Sequence, residues 1–311
     1  MVDGYSAVMV TSYLSRVYSA LIQRVPPESL SNRLGSRIAQ AAAAIPSPFP
    51  SHEDLLADLH SYHRSSQHTE DEAFWRREIQ DDAAIEGLEG TPNGPAKEVV
   101  RVRRALTERE AKPLRELGRD IPRTVIAVVG MYLGRITGQE EISVGLPVTA
   151  RRGRIAKSIP SMLSNILPLR LKVSPGQSIE DTVLRAGKTV RNAVRHQRFR
   201  LEELPQAPSM SGTSVNFLPV SEDLEFGRAS ARVNILATGP VHDLSVVLSG
   251  LGSTDAEPTL LLEGDAALHS AETLQEHADR LLRFIASALE TPTTTVAVSY
   301  THLRAHETGR N

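Results

Sequence analysis

Asp3 and Gly4 stand at the head of the chain, directly ahead of a helical pattern. An aspartate there can cap the helix by accepting its orphan backbone N–H groups, or it can fix a loop through a charged partner. Gly4 suits a turn or the close approach of a loop to a substrate. Ser164 and Asn165 precede an apolar stretch. The Asn165 amide can hydrogen-bond a substrate arm or satisfy loop backbone, and Ser164 and Ser161 are weaker candidates. His196 and Gln197 end a helix. An imidazole there has the chemistry for proton transfer, but the helix dipole favours it without catalysis, which is the more economical reading. His242 beside Asp243 invites a His–Asp pair, yet neighbours on a strand point to opposite faces. His60, His63 and His68 lie on a very polar segment with Arg64, which reads as a solvated face and not a metal site. Arg151-Arg152-Gly153-Arg154 is a basic cluster able to receive an acidic protein or a phosphate, or simply a solvated loop. No P-loop or dinucleotide glycine fingerprint occurs. No catalytic residue is evident.

The elements that must position these groups show in the periodicity. Tyr5–Gln23 is helical, with Val10, Leu14, Val17, Tyr18 and Leu21 at three- and four-residue spacing. Pro26-Pro27 blocks continuation, and the alanine run with Pro46, Pro48 and Pro50 reads as a crossing linker. Ser51–Asp82 is helical and polar. After the turn-rich break at Thr91–Pro95 the texture is mixed α/β. Glu98–Arg104 alternates as a strand, and Thr107 to Glu110 is a capping-box pattern opening a helix. Arg123–Thr137 is an apolar helix closed by Gly138. Strands are expected at Ile142–Val148 and Ile166–Val173, then a helix from Ser178 to about Gln197. Short strands are expected at Ser214–Leu218, Arg232–Ala237, Asp243–Leu248 and Thr259–Glu263. Ser270 caps a final amphipathic helix through Leu289.

The 311 residues allow a substantial core, and 40% apolar with 23% charged residues is an ordinary globular balance. A formal net charge of −2 without charged blocks points to neither nucleic acid nor an anionic membrane as partner. With no cysteine, disulfides, thiolate metal sites and cysteine nucleophiles are excluded. No run spans a bilayer and no secretory signal is visible, so a cytoplasmic location is expected.

Several blocks carry a resemblance. They are Asp3-Gly4-Tyr5-Ser6, Tyr62 with Glu72-Ala73-Phe74-Trp75, Val144–Val148, Ser164-Asn165-Ile166-Leu167-Pro168-Leu169-Arg170, His196-Gln197-Arg198-Phe199 with Glu202, and Leu236–Leu244. In this order, over about Asp3 to Leu289, they resemble the condensation domains of nonribosomal peptide synthetases, the last block the enterobactin-synthase-like subgroup in particular. Ser161 stands where that family often has glycine, and Arg200 where it often has proline.

The resemblance implies the α/β, chloramphenicol-acetyltransferase-like fold, two lobes in a V with the active site between them. On this expectation residues 1–25 are the last helix of the N-terminal lobe, 26–95 a crossover with a polar helix, 96–290 the nearly complete C-terminal lobe and 291–297 a linker, most of the first lobe being missing. Val298–Asn311 is similar to a tail produced by translating sequencing-adapter reads and is treated as non-native, an interdomain linker being the alternative.

The implied activity is amide formation between carrier-bound acyl or peptidyl and aminoacyl thioesters. Epimerising, cyclising or ester-forming members of the superfamily are alternatives, as is a non-catalytic carrier-docking lobe. Asp3-Gly4 resembles the end of the His-His-x-x-x-Asp-Gly signature. The motif histidines would then lie before Met1 and this chain would hold no catalytic group. Asp3 would act structurally, paired with an arginine expected in the missing lobe. Ser164, Asn165, His196 and Gln197 are the channel candidates. No cofactor is bound directly and no metal is expected. Phosphopantetheine arms of partner carriers would enter the channel. The expected partners are the upstream and downstream carrier-protein domains, an adjacent adenylation domain and the missing N-terminal lobe.

Overall fold

The structure, a computed structural model, describes residues 2–24, 45–79, 88, 94–205, 212–218, 224–231, 239–252 and 257–297. The strand expected at 232–237, the crossover over 26–44 and the 298–311 tail lie outside the described residues. In chain order the described elements are α1 (Gly4–Arg24), α2 (His52–His63), α3 (Ser66–Glu78), β1 (Val99–Ala105), α4 (Glu108–Glu116), α5 (Ile121–Thr137), β2 (Glu141–Val148), α6 (Gly153–Ser158), β3 (Asn165–Lys172), α7 (Ile179–Arg195), β4 (Ser214–Leu218), β5 (Leu224–Phe226), β6 (Ala229–Ala231), β7 (Leu244–Ser249), β8 (Thr259–Asp265) and α8 (Ala271–Glu290). The chain divides into two compact units. One comprises Met1–Glu70, Thr149–Asn165 and Ser221–Thr238; the other Asp71–Val148, Ile166–Val220 and Gly239–Asn311.

The second unit is built on a six-stranded mixed sheet in the order β1-β8-β7-β4-β2-β3. β1 and β7 flank β8 antiparallel, while β7, β4 and β2 run parallel. β3 sits at the edge, where Pro168 removes no needed ladder donor. Its odd-numbered residues from Asn165 to Leu171 are buried, and the even-numbered ones are more open. α5 and α8 pack on the sheet and α7 on α5. One continuous core runs from Trp75 through α5 and the strands to α8.

Local signals set most of these ends. The Glu110 carboxylate accepts the Thr107 N–H (2.8 Å), so the capping box forms. Ser178 and Ser270 accept the N–H groups of Asp181 (3.0 Å) and Thr273 (3.1 Å). Gly138 closes α5 with φ 74°. The helical stretch expected as one over 51–82 is two helices. Ser65 turns its N–H and hydroxyl onto the Tyr62 carbonyl, and its oxygen then accepts the His68 N–H (3.3 Å), ending α2 and opening α3. Two elements not expected from the pattern are α6 and the β5–β6 hairpin. The segment expected as a linker, 291–297, is pinned near the start of α7. Ile179 N–H donates to the Thr294 carbonyl (3.0 Å) and Val296 N–H to that of Gln177 (2.9 Å), with Val296 in the core.

In the first unit, Leu55, Ala156, Ile159 and Leu163 form a small core of their own. The hairpin docks on α1 through backbone. The Glu225 carbonyl accepts the hydroxyls of Ser15 (2.5 Å) and Ser19 (3.0 Å), and Gly227 N–H donates to Ser19 Oγ (2.9 Å).

Gly130 and Gly134 lie one turn apart on the face of α5 that meets the end of β3. A Cβ at Gly134 would sit 2.5 Å from Val173 Cγ2 and 2.8 Å from the backbone oxygen of Gln139. Gly→Ala in an ordinary helix interior stabilises by about 1 kcal/mol. Gly134→Ala is expected to do the reverse, costing about 1–3 kcal/mol through overpacking. Thermal melts against Gly176→Ala, whose Cβ meets nothing within 4 Å, check the sign.

Candidate functional site

The first turn of α1 and the loop after β2 meet in a buried polar clasp within the first unit. Asp3 caps α1, its Oδ1 accepting the Ser6 N–H at 2.9 Å. Its Oδ2 accepts the N–H groups of Leu163 and Ser164, both at 3.0 Å. Arg151 Nη2 lies 3.0 Å from both carboxylate oxygens, and the two side chains are 1% and 3% exposed. The expectation that the arginine partner of Asp3 would lie outside this chain is therefore corrected: it is Arg151, 148 residues away. The reading of Arg151–Arg154 as one surface cluster is corrected as well. Ala150 (φ 50°) and Gly153 (φ 78°) turn the backbone, so Arg151 points inward while Arg152 and Arg154 stay exposed.

A buried ion pair stabilises only when its hydrogen-bonding capacity is filled. Here Arg151 Nη1 donates to the carbonyls of Ala156 and Ile159 (2.9 Å), and Nη2 also reaches Ser6 Oγ and the Ser161 carbonyl, each at 2.7 Å. The guanidinium lies 4.8 Å over the Tyr5 ring. Of the clasp's side-chain polar atoms, among the described residues, only Arg151 Nε is buried without a partner. The fully buried Ser6 binds both ends of one peptide residue, donating to the Ser161 carbonyl and accepting its N–H at 2.9 Å. Burial by itself would raise the pKa of Asp3. The hydrogen bonds from Ser6, Leu163 and Arg151 outweigh it and hold the carboxyl below its ordinary value.

The clasp thus brings Asp3 and Gly4 to Ser164, whose neighbour Asn165 is buried at the start of β3. Gly4 is not required sterically within this structure, since a Cβ there meets nothing within 4 Å. Ser6 and Arg151 are the members the sequence did not reveal. Arg151 is one of three arginines in four residues, and only a backbone turn separates its direction from theirs.

His196 and Gln197 are placed in the second unit. His196 caps the C-terminus of α7, and three contacts fasten it to α3. Its Nδ1 lies 2.7 Å from Asp71 Oδ1, its ring stacks on Phe74 at 4.1 Å, and its carbonyl accepts the Trp75 indole N–H at 2.9 Å. Gln197 donates to the Val194 carbonyl (3.0 Å). Asp243 does not pair with His242. It is fully buried against His269 Nε2 (2.7 Å) and also accepts the Leu88 N–H. In the first unit the rings of His63 and His68 lie 4.9 Å apart beside Tyr62.

This fold and these blocks define an α/β condensation-domain fold, and the comparisons agree. The family described as Condensation domain matches residues 42–307, and the chain belongs to that family. The chain is 27% identical over 292 residues to the dimodular nonribosomal peptide synthase of Bacillus subtilis (strain 168), covering 88% of this chain and 12% of that protein. It is 22% identical over 304 residues to enterobactin synthase component F of Escherichia coli (strain K12), covering 94% of this chain and 22% of that protein.

Among solved structures, the first condensation domain of the calcium-dependent antibiotic synthetase, in complex with a substrate analogue, superposes with a TM-score of 0.77. It is 28% identical and covers 95% of this chain and 64% of that one. A variant of the starter condensation domain of rhizomide synthetase, in complex with C8-CoA, gives 0.80 at 26% identity, covering 96% and 66%. The chain thus spans a small part of these curated relatives and just under two thirds of the solved condensation-domain chains. No described helix is long and apolar enough to cross a membrane.

Removing one member of a buried pair leaves an uncompensated charge. Asp3→Ala or Arg151→Ala is expected to cost about 3–5 kcal/mol in urea unfolding. Because the folded pKa of Asp3 is depressed, its stabilisation is complete above the unfolded carboxylate pKa, near 4, and is lost as pH falls through the folded value. The stability gap between wild type and Asp3→Asn should stay constant from neutral pH to about 5 and narrow below about 4. A gap that widens on acidification would contradict the sign.

Proposed function

We propose that this chain is the C-terminal part of a condensation domain, and that within a larger synthetase it takes part in forming amide bonds between carrier-bound thioesters. The observation that carries the proposal is the Asp3–Arg151 clasp. It holds a short segment ending in Asp-Gly against Leu163 and Ser164 by backbone donors from one side and a guanidinium from the other. In this reading the segment preceding Asp3 approaches Ser164 and Asn165, which the hydrogen bonds from Leu163 and Ser164 to Asp3 support. In the proposed domain that segment carries the signature's second histidine, ahead of Met1.

The chemistry asks for placement more than for strong acid–base groups. The amine nitrogen of an aminoacyl thioester attacks the carbonyl carbon of the acyl or peptidyl thioester. The C–N bond forms and the C–S bond breaks. The amine proton is lost and the sulfur leaves as the donor arm's thiol. Holding the two reactants together supplies much of the barrier reduction, up to about 7–11 kcal/mol. The histidine would orient or accept the amine proton. Asp3 and Arg151 hold its loop, and Asn165 offers amide hydrogen bonds to an arm. His196 stays a fastener of α7 in this scheme.

The finer assignments belong to the same proposal. Residues 1–25 end the first lobe, 26–95 cross over and 96–290 form the second lobe. Residues 291–297 follow it, and 298–311 are not native. Similarity to enterobactin synthase component F supports the siderophore-type subgroup. The partners are flanking carrier domains with phosphopantetheine arms, an adenylation domain and the remainder of the first lobe, in the cytoplasm.

Carrier-loaded substrates test this. The protein translated from the full reading frame should yield amide product by mass spectrometry, and Arg151→Ala within it should lower the rate about a hundredfold or more by loosening the placement. The 311-residue chain alone should give no product. Product from that chain alone, or a reading frame without the two histidines ahead of Asp3-Gly4, would overturn the proposal.

A further inference from the structure

In the first unit the break between α2 and α3 sets two imidazoles side by side. By spacing, His63 belongs with His60, three residues back on the same side of α2. The turn pairs it instead with His68, in the first turn of α3. The two ring centroids lie 4.9 Å apart at 46°, and one ring nitrogen of each lies within 4.8 Å of the other. No single helix puts residues five apart on one side, so the turn makes this pair.

The groups that hold the turn also hold the rings. The Tyr62 carbonyl accepts the N–H (2.9 Å) and the hydroxyl (2.6 Å) of Ser65, whose oxygen accepts the His68 N–H (3.3 Å). The buried Tyr62 ring meets His68 edge-on at 5.2 Å and lies 5.8 Å from His63. Arg64, the cation nearest in the chain, turns back along α2, its Nε donating to the His60 carbonyl (3.3 Å). His63 is exposed and His68 half-buried, so the pair can be reached by a solute.

We infer that His63 and His68 form a binding site for a late first-row divalent cation, Zn²⁺ or Cu²⁺, which clips α2 to α3. A neutral imidazole offers one lone-pair nitrogen. That ligand suits zinc and copper, whereas magnesium and calcium prefer oxygen. Zinc bonds nitrogen at about 2.0–2.1 Å, so a tetrahedral ion holds two such nitrogens roughly 3.4 Å apart. From a separation within 4.8 Å the rings reach that spacing by a modest side-chain rotation. The turn holds both ligands near each other before the ion arrives, so little further ordering is needed on binding. Two protein ligands leave the other positions to water, which makes this an open site, unlike a closed structural zinc centre with four protein ligands. The inference is independent of the condensation-domain reading.

Calorimetric titration of the 311-residue chain with zinc chloride tests this. The parent for the test carries His302→Ala and His306→Ala, so that the two histidines four apart near the end of the chain contribute nothing. The parent should bind one Zn²⁺, and excess Mg²⁺ should not displace it. Loss of a second-shell partner alone costs about 10–100-fold in metal affinity, so His63→Ala and His68→Ala should each weaken binding at least about tenfold. His68→Gln, which keeps a polar side chain of similar size, should lose zinc as His68→Ala does, so that the loss is of a ligand and not of the fold. His60→Ala should leave binding unchanged. Zinc should raise the melting temperature of the parent and of His60→Ala, and not that of the His63 and His68 variants. Unchanged affinity in His68→Ala and His68→Gln overturns the inference. So does loss in His60→Ala with none in the His68 variants, which marks a site on α2 alone. Absence of zinc binding by the parent, or its displacement by Mg²⁺, also overturns it.

Discussion

The ion pair between Asp3 and Arg151 is the constraint around which the first unit is arranged. A charge pair with side chains almost fully buried is costly to desolvate, and attraction between the two charges alone does not reliably repay that cost. What makes it favourable is the number of polar groups turned towards it. Three backbone N–H groups converge on the carboxylate, and the carbonyls of Ala156, Ile159 and Ser161 converge on the guanidinium. Those partners come from a helix start and from a loop with left-handed turns at Ala150 and Gly153. Helix, turn and loop are thereby held as one polar body beside a core of only a few apolar residues.

The second unit solves a different problem, that of covering a mixed sheet. Its apolar residues form one continuous core, and several polar side chains buried with it are paired. Asp243 meets His269, and Tyr132 lies 2.7 Å from His277 Nδ1 between α5 and α8. The same logic explains His196. Its position in a family motif suggests chemistry, while its Asp71, Phe74 and Trp75 contacts make it the joint between α7 and α3. A histidine at a helix end, stacked on a ring and held by a buried carboxylate, needs no substrate to account for its place.

Membership of the condensation-domain family fits a site with few chemical groups. On the proposed amide-forming chemistry a thioester is already activated and an amine is already a nucleophile, so what is asked of the protein is largely geometric. In that proposal the clasp contributes by tying the Asp-Gly turn to Leu163 and Ser164.

Local structure was largely legible in the sequence. The capping box at Thr107, the serine caps of α7 and α8, the glycine end of α5 and the alternation of β3 all follow from interactions within a few residues. The break at Ser65 was not, because a serine amid polar residues gives no warning that it will bond backwards to Tyr62 and forwards to His68. Resemblance indicated that Asp3 would need an arginine, but the pattern could not say which one. Arg151, Arg152 and Arg154 have the same chemistry and nearly the same neighbours. Only the fold decided among them, since pairing across 148 residues depends on where the chain returns and which way each backbone turn directs its side chain. The sequence by itself determined most of the elements and the family, because caps and periodicity act over a few residues. The tertiary structure decided which charges are buried together, because desolvation and hydrogen-bond satisfaction depend on all the groups that surround a site.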